Sequence, residues 1–258
     1  MYFSSEEIKE LLKSTYRDLF KYPIVKSIRK TNKDTSDRVL IQDEFEKELK
    51  CTRFLGVGNP SESGAHLLYY FRQENFLSKK LFLNAHEIFD LKDSDKLNLS
   101  DPSITKYVFI DDFCGGGTQA KDYLSNVIAR IKSISPETEI HYYVLFGNES
   151  GLKHVKDNTL VDRCDAVFKL DETYKCFGDR SRYIPENLNE LDWGFAETMS
   201  KKYGDILYPD HPLGHGGCQF LIGFFHNTPN NTLPVIWKHS DDWQPIFKRY
   251  DKIYGGGI

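Results

Sequence analysis

The chain has 258 residues, 40% hydrophobic and 28% charged, and its 34 basic and 38 acidic residues give a formal net charge of −4. This length suits one large α/β domain or one domain with an appended lobe. The charge implies no general attraction to nucleic acid or to an anionic membrane. There is no apolar run of membrane-spanning length, no signal-peptide layout and no Cys-x-x-Cys pair among five scattered cysteines. We therefore expect a cytoplasmic protein in a reducing compartment, with no membrane partner.

The first part of the chain, residues 1–50, is predicted to be a lead of two helices. Pro23 is expected to end the first helix. The basic stretch Lys26–Arg38 is predicted to be a loop, which could meet a nucleic acid or a pyrophosphate but is more simply a solvated loop. Ser36 or Asp37 is expected to cap the second helix. Its inward residues are predicted to be Val39, Leu40, Phe45 and Leu49.

Two short strands are predicted next. Thr52–Val57 is the first, and a turn and a helix follow it. Gly56 and Gly58 suggest a dinucleotide-binding turn, but the third glycine of that motif is missing, so we reject this interpretation. The second strand is predicted at Lys80–Asn84. The charged connection after it is typical either of a mobile lid or of an inert surface loop.

The most informative stretch reads YVFIDDFCGGGTQ. Tyr107–Ile110 predicts a buried strand, and Asp111 and Asp112 follow directly. Three glycines, Gly115–Gly117, come next and lead into a helical pattern that begins near Thr118. Glycine N–H groups and a helix N-terminus bind anions, while adjacent carboxylates accept hydrogen bonds from vicinal hydroxyls or hold a divalent ion through water. The chemistry fits a ribose 5-phosphate, and the alternative is an ordinary turn with solvated aspartates.

Further strands are predicted at Ile140–Phe146 and Val167–Leu170. The alternation of strands and helices predicts a parallel, doubly wound sheet, with ligands bound at the carboxyl ends of its strands. A helix at Asn187–Lys201 and a buried strand at Gln219–Phe225 are expected in the last third. Loops rich in Gly, Pro, Asn and His surround that strand. Four of their side chains could read a nucleobase, or could simply belong to tight turns: Gln219, His226, Asn227 and Asn230.

The central stretch resembles the signature of type I phosphoribosyltransferases. The resemblance implies that Asp111 and Asp112 hold the ribose hydroxyls of phosphoribosyl pyrophosphate (PRPP) and, indirectly, Mg²⁺. It also implies that Ser61, Ser63 and Gly64 bind the pyrophosphate. The family usually has Thr where this chain has Gly116 and a hydroxyl where it has Gln119. The loop implied for the 5-phosphate comprises Phe113, Cys114, Gly115, Gly116, Gly117, Thr118 and Gln119.

A closer resemblance rests on IDDFCGGGT, YVLFGNESGL, the stretch CQFLIGFFHNTPNNTLPVIW and WQPIF. Together they resemble the PRTase-CE family of bacterial conflict systems, some of them retron-type antiphage operons. This implies an effector that makes or breaks an N-glycosidic bond at C1′ of PRPP or of a nucleotide. Implied partners are other defence proteins or a complex of reverse transcriptase with non-coding RNA and DNA. The alternative is a catalytically silent module that senses a nucleotide or assembles with a defence partner.

The expected fold is therefore α/β, with a type I phosphoribosyltransferase-like parallel sheet flanked by helices. The N-terminal helices would occupy residues 1–50. The α/β domain would occupy residues 51–258, with a C-terminal hood-like segment from about residue 180.

Overall fold

The computed structural model describes residues 1–58, 63–91, 97–184 and 192–250. The chain forms two compact units. One is Lys9–Lys169, and the other combines Met1–Ile8 with Leu170–Ile258. The predicted division at residue 50, with a hood from about residue 180, stays a prediction.

A four-stranded sheet forms the centre of the Lys9–Lys169 unit, in the order β2-β5-β6-β7. The β2–β5 and β5–β6 pairs are parallel, which confirms the predicted parallel sheet. The middle of β5 is almost fully buried, as expected for a strand covered on both faces. The strand bounds are β2 Thr52–Gly56, β5 Lys106–Cys114, β6 Glu139–Asn148 and β7 Arg163–Leu170.

Helices flank this sheet. α5 contributes an apolar face of Ala120, Leu124, Ile128 and Ile131 to the core, because those positions recur at spacings of three and four. The mixed α/β architecture is therefore as predicted. The helix bounds are α1 Ser5–Ser14, α2 Tyr22–Thr31, α3 Arg38–Lys50, α4 Ser63–Glu74, α5 Thr118–Ile134 and α6 Glu149–Asn158.

The N-terminal helices differ from the prediction at Pro23. A π-helical stretch, Thr15–Lys21, runs directly into α2, where Pro23 occupies the second position. The chain is thus helical on both sides of Pro23, and the regular i→i−4 hydrogen-bond pattern is interrupted in the π-helical stretch directly before it. The first part of the predicted loop Lys26–Arg38 is therefore helical. Asp37 caps α3 as predicted, but Val39 is 70% exposed rather than inward.

The predicted strand Lys80–Asn84 is wrong. Lys79–Leu81 forms a 3₁₀ turn, and only an isolated bridge between Phe54 and Phe82 joins this segment to the sheet. The polar connection after it contributes to a short antiparallel hairpin, β3 Phe89–Leu91 with β4 Leu97–Leu99. Residues 92–96 of the suggested lid lie outside the described residues.

The described residues of the unit that contains both chain ends include one short pair of strands. β1 Tyr2–Phe3 pairs in parallel with β8 Gly223–Phe224. The predicted strand Gln219–Phe225 is thus mostly wrong, because Gln219 has a φ of 54° that is incompatible with extended backbone. The helices of this unit are α7 Trp193–Leu207 and α8 Pro234–Trp237. Within the described ranges, we find no helix with the length and apolar character needed to cross a bilayer.

Candidate active site

Asp111 and Asp112 lie at the carboxyl edge of the sheet. The register of β2 with β5 ends at Gly56 and Ile110, whereas β5 stays paired with β6 as far as Cys114. The two carboxylates therefore lie just beyond the end of β2, beside the turn that leaves it. This is the edge at which parallel α/β sheets bind ligands.

A buried tyrosine on the neighbouring strand holds Asp111. The hydroxyl of Tyr142 donates to Oδ2 of Asp111 at 3.3 Å, and the backbone N–H of Asp112 donates to Oδ1 at 2.9 Å. Tyr142 is fully buried on β6. The role of Tyr142 was not predictable from the sequence, because a tyrosine within an apolar strand carries no signal that separates it from ordinary core residues.

The electrostatics of the pair favour a bound partner. Burial and the neighbouring Asp112 carboxylate raise the pKa of Asp111 well above its ordinary value, and the hydrogen bond from Tyr142 opposes this only in part. Two adjacent carboxylates are more stable when a cation or hydroxyl donors bind them. Perturbed carboxyl groups at the ligand-binding edge of a sheet mark a candidate functional site.

The glycine loop after β5 packs closely against α6. Gly117 has a φ of 81°, which favours glycine, and it directly precedes α5. A Cβ on Gly117 would overlap the carbonyl oxygen of Gly151, and a Cβ on Gly151 would overlap that of Gly115. Gly116 is exposed, and a Cβ there would meet nothing within 4 Å. The loop therefore has one open position between two tightly constrained ones.

The first turn of α5 continues this loop. Thr118 and Gln119 are exposed there, and the N–H of Lys121 makes the first helical hydrogen bond, to Gly117, at 2.8 Å. The backbone N–H groups of the residues before Lys121 in this turn are those that a helix N-terminus offers to an anion.

The other two residues of the predicted phosphate loop end β5. Cys114 is buried, and this burial raises the pKa of its thiol to about 12, so the side chain belongs to the core and is unreactive. Phe113 is partly buried. We therefore expect the loop to bind phosphate through Gly115–Gly117 and Thr118.

The residues predicted to bind pyrophosphate follow β2. The N–H of Val57 donates to the carbonyl of Ile110 at 3.1 Å, and the next residue, Gly58, has a φ of 93°. Ser63 and Gly64 begin α4, while Ser61 lies outside the described residues. Because β2 and β5 are parallel neighbours, the turns after them leave the same edge of the sheet. The pyrophosphate role of these residues stays a prediction.

The four candidate base-binding residues belong to the unit that contains both chain ends. Gln219 and Asn227 each accept a backbone N–H through the side-chain carbonyl, at 3.0 and 2.9 Å. The ring of His226 stacks on a phenylalanine at 5.5 Å, and the backbone carbonyl of Asn230 accepts an N–H at 2.8 Å. These contacts give each residue a role in its own loops. Recognition of a base by them stays a prediction.

The acidic pair suits a magnesium ion that is held partly by substrate. Mg²⁺ keeps several waters and binds through one or two carboxylates together with substrate phosphates. The described part of the chain contains no group of three or more His, Cys, Asp or Glu residues able to hold a metal. A magnesium ion held indirectly by Asp111 and Asp112 stays a prediction.

Sequence and structure comparisons relate this chain to known proteins. The sequence model of the PRTase-CE family matches residues 1–249. No curated protein matches. The chain is similar to the Helicobacter pylori xanthine-guanine-hypoxanthine phosphoribosyltransferase, at 10% identity and a TM-score of 0.31, over 66% of this chain and 88% of that one. It is also similar to the orotate phosphoribosyltransferase of Aeropyrum pernix, at 12% identity and a TM-score of 0.30, over 62% and 75% of the two chains.

Proposed function

The chain belongs to the PRTase-CE family, and from this premise we propose that it makes or breaks an N-glycosidic bond at C1′ of PRPP or of a nucleotide. One observation carries the proposal. Asp111 and Asp112 lie in the last part of the parallel strand β5, and the constrained glycine loop and the start of α5 follow where that strand ends at Cys114. Carboxylates that can accept hydrogen bonds from hydroxyls thus lie at the same edge of the sheet as N–H groups that can donate to a phosphate, and the two sets are close together in the chain.

In the proposed reaction, Asp111 and Asp112 accept hydrogen bonds from the ribose hydroxyls, and the N–H groups of Gly115–Gly117 with Thr118 hold the 5-phosphate. The bond from C1′ to the leaving group breaks, and its electron pair departs with that group. A nitrogen of the acceptor then donates the pair that forms the new bond at C1′. The ribosyl group carries positive charge in the transition state, so fixed carboxylates stabilise it. Positioning supplies much of the remaining rate enhancement.

Asp111 and Asp112 would hold Mg²⁺ through water, together with the pyrophosphate of PRPP. When bound, the ion neutralises negative charge on the leaving pyrophosphate. Ser63 and Gly64, at the start of α4, and Ser61 before them would bind the other pyrophosphate oxygens.

The test is calorimetric titration of PRPP with Mg²⁺ into the wild type and into the double variant Asp111→Asn, Asp112→Asn, together with turnover assays over a panel of bases and nucleotides. We expect the double variant to lose both binding and turnover, since neutral amides neither hold the ion nor stabilise the positive ribosyl group. Asp157→Asn is the matched control, because Asp157 is an α6 carboxylate that pairs with Lys153 on the surface. Retained turnover in the double variant would remove the assignment.

A second candidate function is a module that binds the nucleotide without turning it over. The observation that favours it is Gly116, an exposed position without a side chain where the resemblance implies Thr. This module would bind PRPP and assemble with a partner, and the double aspartate variant would lose the first property but keep the second. Gly116→Thr tests the difference, because a side chain there meets open space. Turnover gained only in that variant would favour the silent module.

The proposed biological role is that of an effector in antiphage defence, which consumes a nucleotide-type target when infection is sensed. Its partners would be other defence proteins or a complex of reverse transcriptase with non-coding RNA and DNA. The double aspartate variant should abolish protection in a plaque assay with the complete defence operon. Equal protection by wild type and variant would contradict the effector role.

A further inference from the structure

A polar cavity opens at the edge of the sheet opposite the acidic pair. It has a volume of about 130 Å³, and α2, α3 and the first residues of β5, β6 and β7 contribute to its walls. Because β5 runs from Lys106 to the acidic pair at Asp111, its two ends face opposite edges of the sheet. Five ionisable side chains line the cavity: Glu48, Lys106, Glu139, His141 and Arg163.

Lys106 is the buried centre of this group. Its side chain is only 6% exposed, and its ammonium lies 3.1 Å from a carboxylate oxygen of Glu48 and 3.5 Å from one of Glu139. A buried ammonium without such partners would be strongly destabilising. An ammonium has three N–H donors, and in the part of the chain that the structure describes two of them face these carboxylates. Lys106 also lines the cavity.

A hydrogen bond from His141 orients the carboxylate of Glu139, one of the two partners of Lys106. His141 is 2% exposed, and burial lowers its pKa, so the ring is neutral at pH 7. Its Nε2 contacts Glu139 at 3.1 Å and its Nδ1 contacts the hydroxyl of Tyr143 at 3.0 Å. A neutral ring satisfies both contacts when Nε2 donates to Glu139 and Nδ1 accepts from Tyr143. Glu139 is therefore held as an oriented carboxylate.

The cavity places exposed carboxylates, which accept hydrogen bonds, next to positively charged side chains. The side chains of Glu48 and Glu139 are 47% and 51% exposed, so each keeps carboxylate surface open to a ligand. Arg163 adds a guanidinium, and Ile24 and Ile28 of α2 add an apolar wall. A phosphate would be repelled by the two carboxylates, and a simple cation by Lys106 and Arg163. A neutral ligand with adjacent donors and an acceptor suits both sets of groups.

We propose that this cavity binds the base of a guanine nucleoside, at a site separate from the acidic pair. The 2-amino and N1–H groups would donate to the carboxylate of Glu48 or Glu139, the O6 carbonyl would accept from Lys106 or Arg163, and the ring face would lie on Ile24 and Ile28. In protein–DNA recognition, Arg and Lys donate to the O6 of guanine and carboxylates accept from base amino groups, so the side chains of this cavity are of the kinds that such pairing needs. The volume of about 130 Å³ is close to the roughly 150 Å³ of a cavity that holds one benzene ring, so the six-membered ring of the base would enter the cavity and the rest of the nucleoside would lie at its mouth.

The experiment is calorimetric titration of guanosine into the full chain, beside inosine and adenosine. We expect guanosine to bind most tightly, because inosine lacks the 2-amino donor and adenosine lacks the carbonyl. Glu48→Gln should weaken guanosine binding at least about fivefold, the scale of one lost bidentate contact. Glu44→Gln is the matched control, since Glu44 is an α3 carboxylate that pairs with Lys47 on the surface. Circular dichroism and melting of Glu48→Gln check that the variant folds.

The double variant Asp111→Asn, Asp112→Asn separates this site from the proposed active site. Guanosine binding that survives in the aspartate variant and weakens in Glu48→Gln supports the proposal, whatever becomes of the PRPP assay. Absence of guanosine binding to the wild type would overturn it. So would equal affinity for adenosine, or binding that is lost in the aspartate variant and unchanged in Glu48→Gln.

Discussion

The contact between the glycine loop and α6 predicts that one glycine-to-alanine substitution in a helix lowers the stability of the protein, although helix propensity alone predicts that it raises it. Gly151 is the third residue of α6, where replacement by alanine would ordinarily stabilise a helix by up to about 1 kcal/mol. Here the added Cβ would overlap the carbonyl oxygen of Gly115 and lie 2.9 Å from its carbonyl carbon. Both are backbone atoms, so the loop itself must move. Overpacking of this kind costs about 1–3 kcal/mol.

Because the overlap is with backbone, we take the upper end of this cost, about 3 kcal/mol, and expect Gly151→Ala to lower the free energy of unfolding by about 2 kcal/mol once a helix gain of about 1 kcal/mol is subtracted. The melting temperature should fall by about 4–8 °C. Urea unfolding and thermal melting measure the stability, and calorimetry with PRPP measures the accompanying loss of affinity. Gly116→Ala is the control, because it adds the same methyl group to the same loop where a Cβ meets nothing within 4 Å. A Gly151→Ala variant as stable as wild type would refute the packing argument.

Three further predictions concern ionisable groups. Tyr142→Phe removes a hydrogen-bond donor that favours the charged form of Asp111, so the pKa of Asp111 should rise further. A carbon-13 titration of the carboxyl group measures this pKa, and an unchanged value would count against the hydrogen bond. The raised pKa of Asp111 means that the native state keeps a proton which the unfolded chain releases above about pH 3.8. Stability from this group is thus lost as pH rises, and Asp111→Asn should melt higher than wild type at pH 7 but not at pH 3. Interactions with His141 and Lys106 lower the pKa of Glu139 from 4.5 to about 2, so the stability that this group contributes is lost as pH falls through that interval. The stability of Glu139→Gln, measured by urea unfolding, should therefore fall less steeply with decreasing pH than that of the wild type. An equally steep decline in the variant would contradict this.

Much of the central fold was predictable, because the apolar runs of buried parallel strands are strong local signals. The predicted strand Tyr107–Ile110 lies within β5, Thr52–Val57 matches β2 apart from its last residue, and the helical pattern after the glycines is α5. The aspartates and glycines were identifiable for the same reason, since they follow that strand directly in the chain. Their ligands stay predictions.

The missed features depend on contacts between residues distant in sequence or on backbone conformation. Pro23 ends many helices, but here it falls in the first turn of α2, and only the course of the preceding π-helical stretch decides this. Gln219 interrupts an apolar run by its positive φ, which residue type does not predict. Tyr142 and Gly151 act through partners 31 and 36 residues away, Asp111 and Gly115. No spacing rule within one sequence identifies such pairs.

The register of the sheet has a consequence for the order of folding. Lys106 pairs with Glu139, 33 positions along the chain, whereas it pairs with Thr52 across 54 positions. Closing the longer segment costs more chain entropy, and the β5–β6 ladder is also the more extensive of the two. The unit β5–α5–β6 is therefore the expected folding nucleus, with β2 added later. The strand, glycine loop and helix proposed to hold the ribose phosphate would then form before β2, whose following turn is predicted to bind the pyrophosphate. The half of the proposed site that folds first would therefore be continuous in the chain.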